Sequence, residues 1–247
     1  MRILIVNPNT TASMTEKAAT AARAVAASGT EIIAATSRMG PVSIEGHYDG
    51  ALAIPGLLAE LKERQGLGYD AAVIACFDDT GLEAARTFAN VPILGLCESA
   101  VVTAGFLAQR FTVVTTLERS RVLIDNLVRR YGMGDRAKVR ASDIPVLELE
   151  DAGSGAIGKL RAEIERALLE DGAEAIVLGC AGMTDLAREL QEIYGVPVVD
   201  GVAAAVKQAE ALVSLGLSTS KRGSYASPLP KSFTGAMSGF SPVLKVG

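Results

Sequence analysis

Tryptophan is absent from these 247 residues, histidine occurs once, cysteine three times, and aromatics make up only 4% of the chain. The lone histidine, His47 between Gly46 and Tyr48, argues against a histidine-based triad and excludes metal sites that need two or more imidazoles. It reads as a surface residue, or as one behind a site that its loop can reach. No run of Lys or Arg exists, the net charge is −4 and the pI is near 5.2. A nucleic-acid or anionic-membrane partner therefore has no electrostatic footprint, which leaves a small molecule.

Long apolar runs are missing too. After Met1-Arg2 only Ile3 to Val6 precede Asn7-Pro8-Asn9, too short for a secretory segment, so the expected compartment is the cytoplasm. The stretch from Val91 to Ala108 is interrupted by Pro92, Gly95, Glu98, Ser99 and Thr103, and reads as strand then helix rather than as a membrane span. An odd cysteine count in a reducing compartment argues against a disulfide framework, and the lack of a Cys-x-x-Cys pair argues against thiol redox chemistry. Each cysteine is then core filler or a reactive thiol.

What the chain does have is apolar bulk, 49% of residues with a mean hydropathy of +0.30, enough for a substantial core. Short β-rich runs alternate with helical stretches. Strands are expected at Ile3–Val6, Ile32–Ala35, Ala71–Ala75, Thr112–Thr115, Ala175–Leu178 and Val196–Val199. Helices are expected near Ser13–Ala27, Leu52–Gln65, Ser120–Tyr131 and Leu160–Asp171. Such alternation predicts an α/β protein with parallel sheets flanked by helices.

An internal repeat sharpens that expectation. Asp70-Ala-Ala-Val-Ile-Ala-Cys76 lies over Glu174-Ala-Ile-Val-Leu-Gly-Cys180 at an offset of 104, with Thr80 and Leu82 on Thr184 and Leu186. Val91-Pro-Ile-Leu and Val196-Pro-Val-Val follow at an offset of 105, and Ile5-Val6-Asn7 is matched by Val113-Val114-Thr115. Two pseudosymmetric lobes with a site in the cleft between them are expected: residues 1–97, completed by the C-terminal helix and tail over 207–247, and residues 98–206. Beyond Ser218 a Ser/Pro/Gly-rich tail should lie extended on the body or on a neighbouring subunit.

Cys76 and Cys180 fall at carboxyl ends of buried-looking strands just before helices, where open α/β sheets place ligands. A helix N-terminus there would draw a thiol's pKa down toward neutrality and hold an oxyanion. One such cysteine is usually a small core hydrophobe. Two at equivalent points of a repeat suit an acid and a base on opposite faces of a stereocentre. Cys97 has no counterpart, since the equivalent strand end reads Asp200-Gly201-Val202, and is left as core. Asp78 and Asp79, and Glu98-Ser99, also fit ordinary helix starts. Gly153-Ser-Gly155-Ala-Ile-Gly158 matches a dinucleotide fingerprint as a string, but it follows Glu148, Glu150 and Asp151 and is set aside.

Asn7-Pro-Asn-Thr-Thr, Ile44-Glu-Gly-His-Tyr-Asp49, Ala75-Cys-Phe-Asp-Asp-Thr-Gly-Leu82, Val114-Thr-Thr116 and Leu178-Gly-Cys-Ala-Gly-Met183 together resemble the hydantoin racemases of the aspartate/glutamate racemase superfamily. The likeness runs from Met1 to about Gly223, with Gly-Cys-Ala-Gly-Met its most specific element. It implies a two-lobed racemase without metal or organic cofactor, forming a homo-oligomer, with Cys76 and Cys180 as the catalytic pair. It also implies a pocket lined by Asn9, Phe77, Asp78, Asp79, Thr80, Thr116, Gly179, Ala181, Gly182 and Met183. Relatives often read Cys-Phe-Gly-Asp-Pro-Gly, whereas this chain carries Asp78 and Thr80 in place of that Gly and Pro. Racemisation of 5-monosubstituted hydantoins is the leading expectation. Allantoin racemisation comes next, then an amino-acid racemase or a non-catalytic module closing on a ligand.

Overall fold

The computed structural model describes residues 1–151 and 153–242. The first half runs β1 (Arg2–Asn7), α1 (Ala12–Val25), β2 (Glu31–Thr36), α2 (His47–Arg64), β3 (Ala71–Ile74), α3 (Leu82–Phe88), β4 (Ile93–Gly95) and α4 (Leu96–Leu107). The second runs β5 (Phe111–Thr115), α5 (Glu118–Arg130), β6 (Ala137–Ala141), α6 (Ala156–Glu170), β7 (Ala175–Gly179), α7 (Ala187–Tyr194), β8 (Val198–Asp200) and α8 (Gly201–Ser214). The strands form two parallel sheets, β2-β1-β3-β4 and β6-β5-β7-β8, so both halves share one topology. The expected two-lobed α/β fold is what the chain adopts.

Ile3 to Val6, Ala71 to Ile74 and Ala175 to Leu178 are buried on both faces, which is why they read as unbroken apolar runs rather than alternating ones. Outer layers are closed by α2 and α3 on one sheet, through Leu57, Leu61 and Leu82, and by α6 on the other, through Leu160 and Ile164. A central core lies between the sheets. There Ile3 and Val73 of the first sheet and Val113 and Val177 of the second share one cluster with Ala100 and Ala104 of α4 and Val202, Ala205 and Ala209 of α8. α4 lies on β7 and β8 as well as β4, and α8 lies on β3 and β4 as well as its own sheet, so each half lends a helix to the other.

Two elements differ from expectation. α2 begins at His47 rather than near Leu52, because the chain enters it through Gly46 at φ +134° and carries Pro55 within the helix, where proline normally marks a start. Gly56 of that helix has no room for a side chain: a Cβ would stand 2.1 Å from the Ser37 hydroxyl. Strand β6, Ala-Lys-Val-Arg-Ala, was not expected. Its Lys138 and Arg140 point toward Asp171 at the sheet edge, and their charge hid the strand pattern. The tail follows the first half, with the Thr219 hydroxyl donating to the Val91 carbonyl (2.7 Å) and the Lys221 ammonium to the Thr87 carbonyl (3.1 Å).

The two helices of the central layer are capped differently. Asp200 caps α8 locally, accepting from the Val202 and Ala203 amides at 3.1 and 2.8 Å. The position before α4 is Gly95, and the carboxylate comes from Asp79, which accepts from the Cys97 and Glu98 amides at 3.0 Å each and from the Tyr131 hydroxyl at 2.7 Å. Burial pushes this carboxyl up to about 7 despite those three donors. Asp79→Ala removes a helix cap and a partner of the half-buried Tyr131 hydroxyl, so it should lower stability by about 1–3 kcal/mol. Urea denaturation checks this, and a midpoint unchanged from wild type would show that α4 needs no cap.

Candidate active site

At the carboxyl ends of β3 and β7 the chain makes the same turn twice. The Asp79 amide donates to the Cys76 carbonyl at 3.2 Å, and the Met183 amide to the Cys180 carbonyl at 3.1 Å, so each cysteine opens a tight turn at an equivalent point of the repeat. Cys180 then leads into a short 3-10 helix, Ala181–Leu186, whereas α3 waits until Leu82. Neither thiol stands directly at the start of an α-helix, as the sequence suggested. Both half-buried thiols line one cavity, to which each half of the chain contributes a wall.

The first half contributes Asn9, Met14, Ile44, Ala75, Cys76, Phe77 and Asp78 to that cavity; the second contributes Thr115, Thr116, Ser120, Ile124, Val146, Gly179, Cys180 and Ala181. Asn9 is held by its neighbours: its Oδ1 accepts from the Asn7 side-chain amide (2.8 Å) and the Thr11 backbone amide (2.9 Å), which leaves its side-chain amide nitrogen without a strong acceptor. That amide nitrogen instead donates to the Met14 sulfur at 3.6 Å, a weak acceptor, so it remains available to a ligand carbonyl. Gly179 lets β7 run against β5, since a Cβ would meet the Thr115 Cα and the Val114 carbonyl at 2.8 Å. Any larger residue would push apart the strands carrying Thr116 and Cys180.

Of the ten pocket residues that the resemblance implied, Asn9, Phe77, Asp78, Thr116, Gly179 and Ala181 line the cavity. Four stand elsewhere. Met183 is wholly buried beside Val114, Ile144 and Leu178, because the turn that presents Cys180 swings the next long side chain under the sheet. Asp79 faces the α4 N-terminus. Thr80 lies beneath the rim, its hydroxyl bonded to Asp78 and 3.7 Å from the Cys76 sulfur. Gly182 acts through its backbone, donating its amide to the Cys180 sulfur at 3.4 Å. Cys97 is fully buried in the core at the start of α4, and His47 is exposed at the start of α2.

Sequence reasoning gave no role to several residues that close the cavity. Ile44 and Val146 meet across it, and the Glu45 carboxylate accepts from the Val146 amide at 3.0 Å, tying the halves together on that side. Lys17 of α1 makes a second tie, donating to the Gly182 carbonyl at 3.1 Å, with Glu150 and Asp185 within ion-pair range. The segment Ile44–Asp49 figured in the family resemblance, which was the available signal for Ile44 and Glu45. Nothing marked Lys17, since only the fold brings α1 to the Cys180 turn.

The expected near-neutral thiols are a correction. Burial pushes Cys180 up to about 11, outweighing the Gly182 amide and the Lys17 charge, both of which favour its anion. Burial also raises Cys76 well above the ordinary range, and the adjacent Asp78 carboxylate raises it further. Loss of hydration at the two sulfurs is a larger effect here than one 3-10 turn or a few amides can offset.

A family model described as Asp/Glu/Hydantoin racemase matches residues 3–209. The hydantoin racemase of Rhizobium meliloti is 50% identical over 236 residues, 95% of this chain and 98% of that one. The hydantoin racemase of Pseudomonas sp. (strain NS671) is 46% identical over 241 residues, 97% of each chain. Among solved structures, allantoin racemase from Klebsiella pneumoniae matches with a TM-score of 0.95 at 48% identity, covering 98% of this chain and 100% of that one.

A raised pKa keeps the thiol form through neutrality and yields thiolate only as pH climbs toward it. Iodoacetamide labelling of Cys180 should accordingly accelerate about tenfold per pH unit from 7 to 10 with no plateau, because the thiolate fraction well below the pKa grows tenfold per unit. Peptide-resolved mass spectrometry checks it, and a rate that levels off near pH 7–8 would restore the helix-dipole reading.

Proposed function

The chain is a racemase of the Asp/Glu/hydantoin racemase family, and we propose that it racemises 5-monosubstituted hydantoins at C5 by proton transfer between Cys76 and Cys180, without metal or organic cofactor. The observation that supports this most is the pairing of the two thiols, on equivalent turns, in the wall of one cavity. Racemisation needs a base on one face of the stereocentre and an acid on the other, and two lobes of one topology meeting at a cleft offer that arrangement.

In one direction the Cys180 thiolate takes the C5 proton and becomes a thiol, and the C–H electron pair moves into the adjacent carbonyl as an enolate. The Asn9 amide is a suitable donor to that oxygen or to the second ring carbonyl. Cys76 then gives its thiol proton to the opposite face of C5, which leaves a thiolate on Cys76 and the inverted substrate. The reverse direction exchanges the roles. The two sulfurs titrate as a coupled pair.

Charge favours a neutral ring over an amino acid. Among the described residues the cavity lining contains no Lys or Arg and does contain Asp78, which would repel a substrate carboxylate, whereas ring N–H groups and carbonyls find partners in Asn9, Thr116, Asp78 and backbone amides. Phe77, Ile44 and Val146 offer apolar surface for the C5 substituent. The allantoin racemase from Klebsiella pneumoniae supports a second reading, the same proton transfer on a ureido-substituted hydantoin.

Purified protein in D₂O should erase the optical rotation of an L-5-alkyl hydantoin while deuterium enters C5, and exhaustive chelation should leave the rate unchanged. Cys76→Ser and Cys180→Ser should each cut kcat by about 10²–10⁴ with the fold intact, and Cys97→Ser should matter far less. Substantial residual exchange in either site variant would refute the two-thiol mechanism. The value of kcat/KM for an alkyl or aryl hydantoin should exceed that for L-aspartate by at least about 10³. Similar values would overturn the substrate class, and a clear preference for allantoin would select the second reading.

A further inference from the structure

The two thiols stand in different electrostatic settings: a carboxylate is bonded to one and is only a more distant influence on the other. The Cys76 S–H donates to the Asp78 Oδ1 at 2.8 Å, and the Thr80 hydroxyl donates to that same oxygen, the pattern of an acceptor carboxylate holding two protons of its neighbours. The other carboxylate oxygen of Asp78 faces the first turn of α2, where a Cβ built on Gly50 would stand 3.8 Å from it, and that helix end favours negative charge. Among the described residues no carboxylate bonds to Cys180. Its sulfur accepts the Gly182 amide at 3.4 Å, and the Lys17 ammonium, paired with Glu150 and Asp185, is anchored on the Gly182 carbonyl and favours the anion, while Glu150 and, more remotely than at Cys76, Asp78 oppose it.

Resting on the two-thiol reading above, we infer that Asp78 is a positioning residue that divides the labour of the pair: it retains the proton on Cys76 and leaves Cys180 as the sulfur that ionises first. The enantiomer that presents its C5 hydrogen to Cys180 then meets, as its base, the sulfur that ionises the more readily of the two and, as its acid, a thiol that holds its proton. Its mirror image needs a thiolate beside the Asp78 carboxylate and a proton on Cys180, the disfavoured arrangement. In the favoured direction Cys180 gains the C5 proton and Cys76 loses its own to the opposite face, so the pair as a whole neither gains nor loses a proton. Because the two enantiomers are equal in free energy, kcat/KM must be the same in both directions, and the bias is hidden from that ratio. It shows in the protonation of the thiols themselves.

Other charged groups near Asp78 do not cancel its effect on Cys76. On the far side of the loop, Asp79 is committed to the α4 amides, and Glu83, Arg130 and the exposed His47 line an outer groove away from the sulfur. On the cavity side the facing titratable group is Cys180 itself.

The test is peptide-resolved iodoacetamide labelling of the full-length protein from pH 6 to 10, comparing wild type with Asp78→Asn and Asp78→Gly. In wild type Cys180 should label at least about fivefold faster than Cys76 at pH 8. Both variants should raise the Cys76 rate at fixed pH by about tenfold, a shift of about one pH unit, with the Cys180 rate rising far less because Asp78 acts on it only at a distance. Thiolate absorbance at 240 nm, followed against pH in a Cys97→Ser, Cys180→Ser background, rises earlier in the Asp78 variants if Cys76 ionises more readily and is unmoved if access alone has changed. Equal or faster labelling of Cys76 in wild type, or an unmoved Cys76 profile in whichever variant keeps the wild-type circular dichroism, would overturn the inference. Labelling does not depend on turnover, so the outcome is separate from the deuterium-exchange test of the serine variants, which alone decides whether two thiols perform the reaction.

Discussion

Leu96 at the start of α4 touches Gly201 at the start of α8, and the way the two halves face each other depends on that contact. The two residues are equivalent in the repeat, so the contact sits where the halves are related by their internal symmetry. A Cβ on Gly201 would stand 3.0 Å from both the Leu96 carbonyl oxygen and the Leu96 Cβ, which leaves glycine as the residue that lets the helices come this near. With the helix starts pressed together, α4 reaches onto β7 and β8 and α8 onto β3 and β4. The strand ends that carry Cys76 and Cys180 are thus placed by a shared, densely packed core rather than by their own loops, and the spacing of the two sulfurs inherits the rigidity of that core.

Burial in such a cavity works in two directions at once. It makes each thiolate scarcer at neutral pH, as the rise of Cys180 to about 11 shows, and it makes that thiolate a stronger base toward a weakly acidic C–H bond. The same dry walls strengthen any donor aimed at the developing enolate, because little water competes. A site of this type favours a small neutral substrate, for which the loss of hydration on entry is modest.

Much of this was legible in the sequence. The repeat placed Cys76 over Cys180, continuous apolar runs gave the central strands, and the missing counterpart of Cys97 correctly pointed to a core residue. The rest was hidden for physical reasons. β6 alternates charged and small residues at a sheet edge, so its pattern is indistinguishable from a polar loop. The start of α2 was obscured by Pro55. Asp79 looked like a cap for the helix that follows it, and only the folded chain shows that its carboxylate serves α4 instead. The thiols were expected near neutrality because a strand-then-helix pattern announces a dipole but says nothing about how completely the opposite lobe excludes water. Lys17 and Val146 reach the site from elements with no local mark of function.

The two ways of capping the central helices carry an evolutionary consequence. If the halves descend from one duplicated unit, a local aspartate of the Asp200 kind and a remote one of the Asp79 kind are alternatives that cannot coexist. A side chain begun at Gly95 would run into the Asp79 carboxylate at 2.3 Å. Mutating Asp79 first uncaps α4, and mutating Gly95 first creates a collision between two carboxylates. Each single step away from the present arrangement is unfavourable even though the double exchange would restore a capped helix. The asymmetry between the halves is therefore entrenched: substitutions at the two positions are epistatic, and drift among descendants should leave both fixed together or change both together.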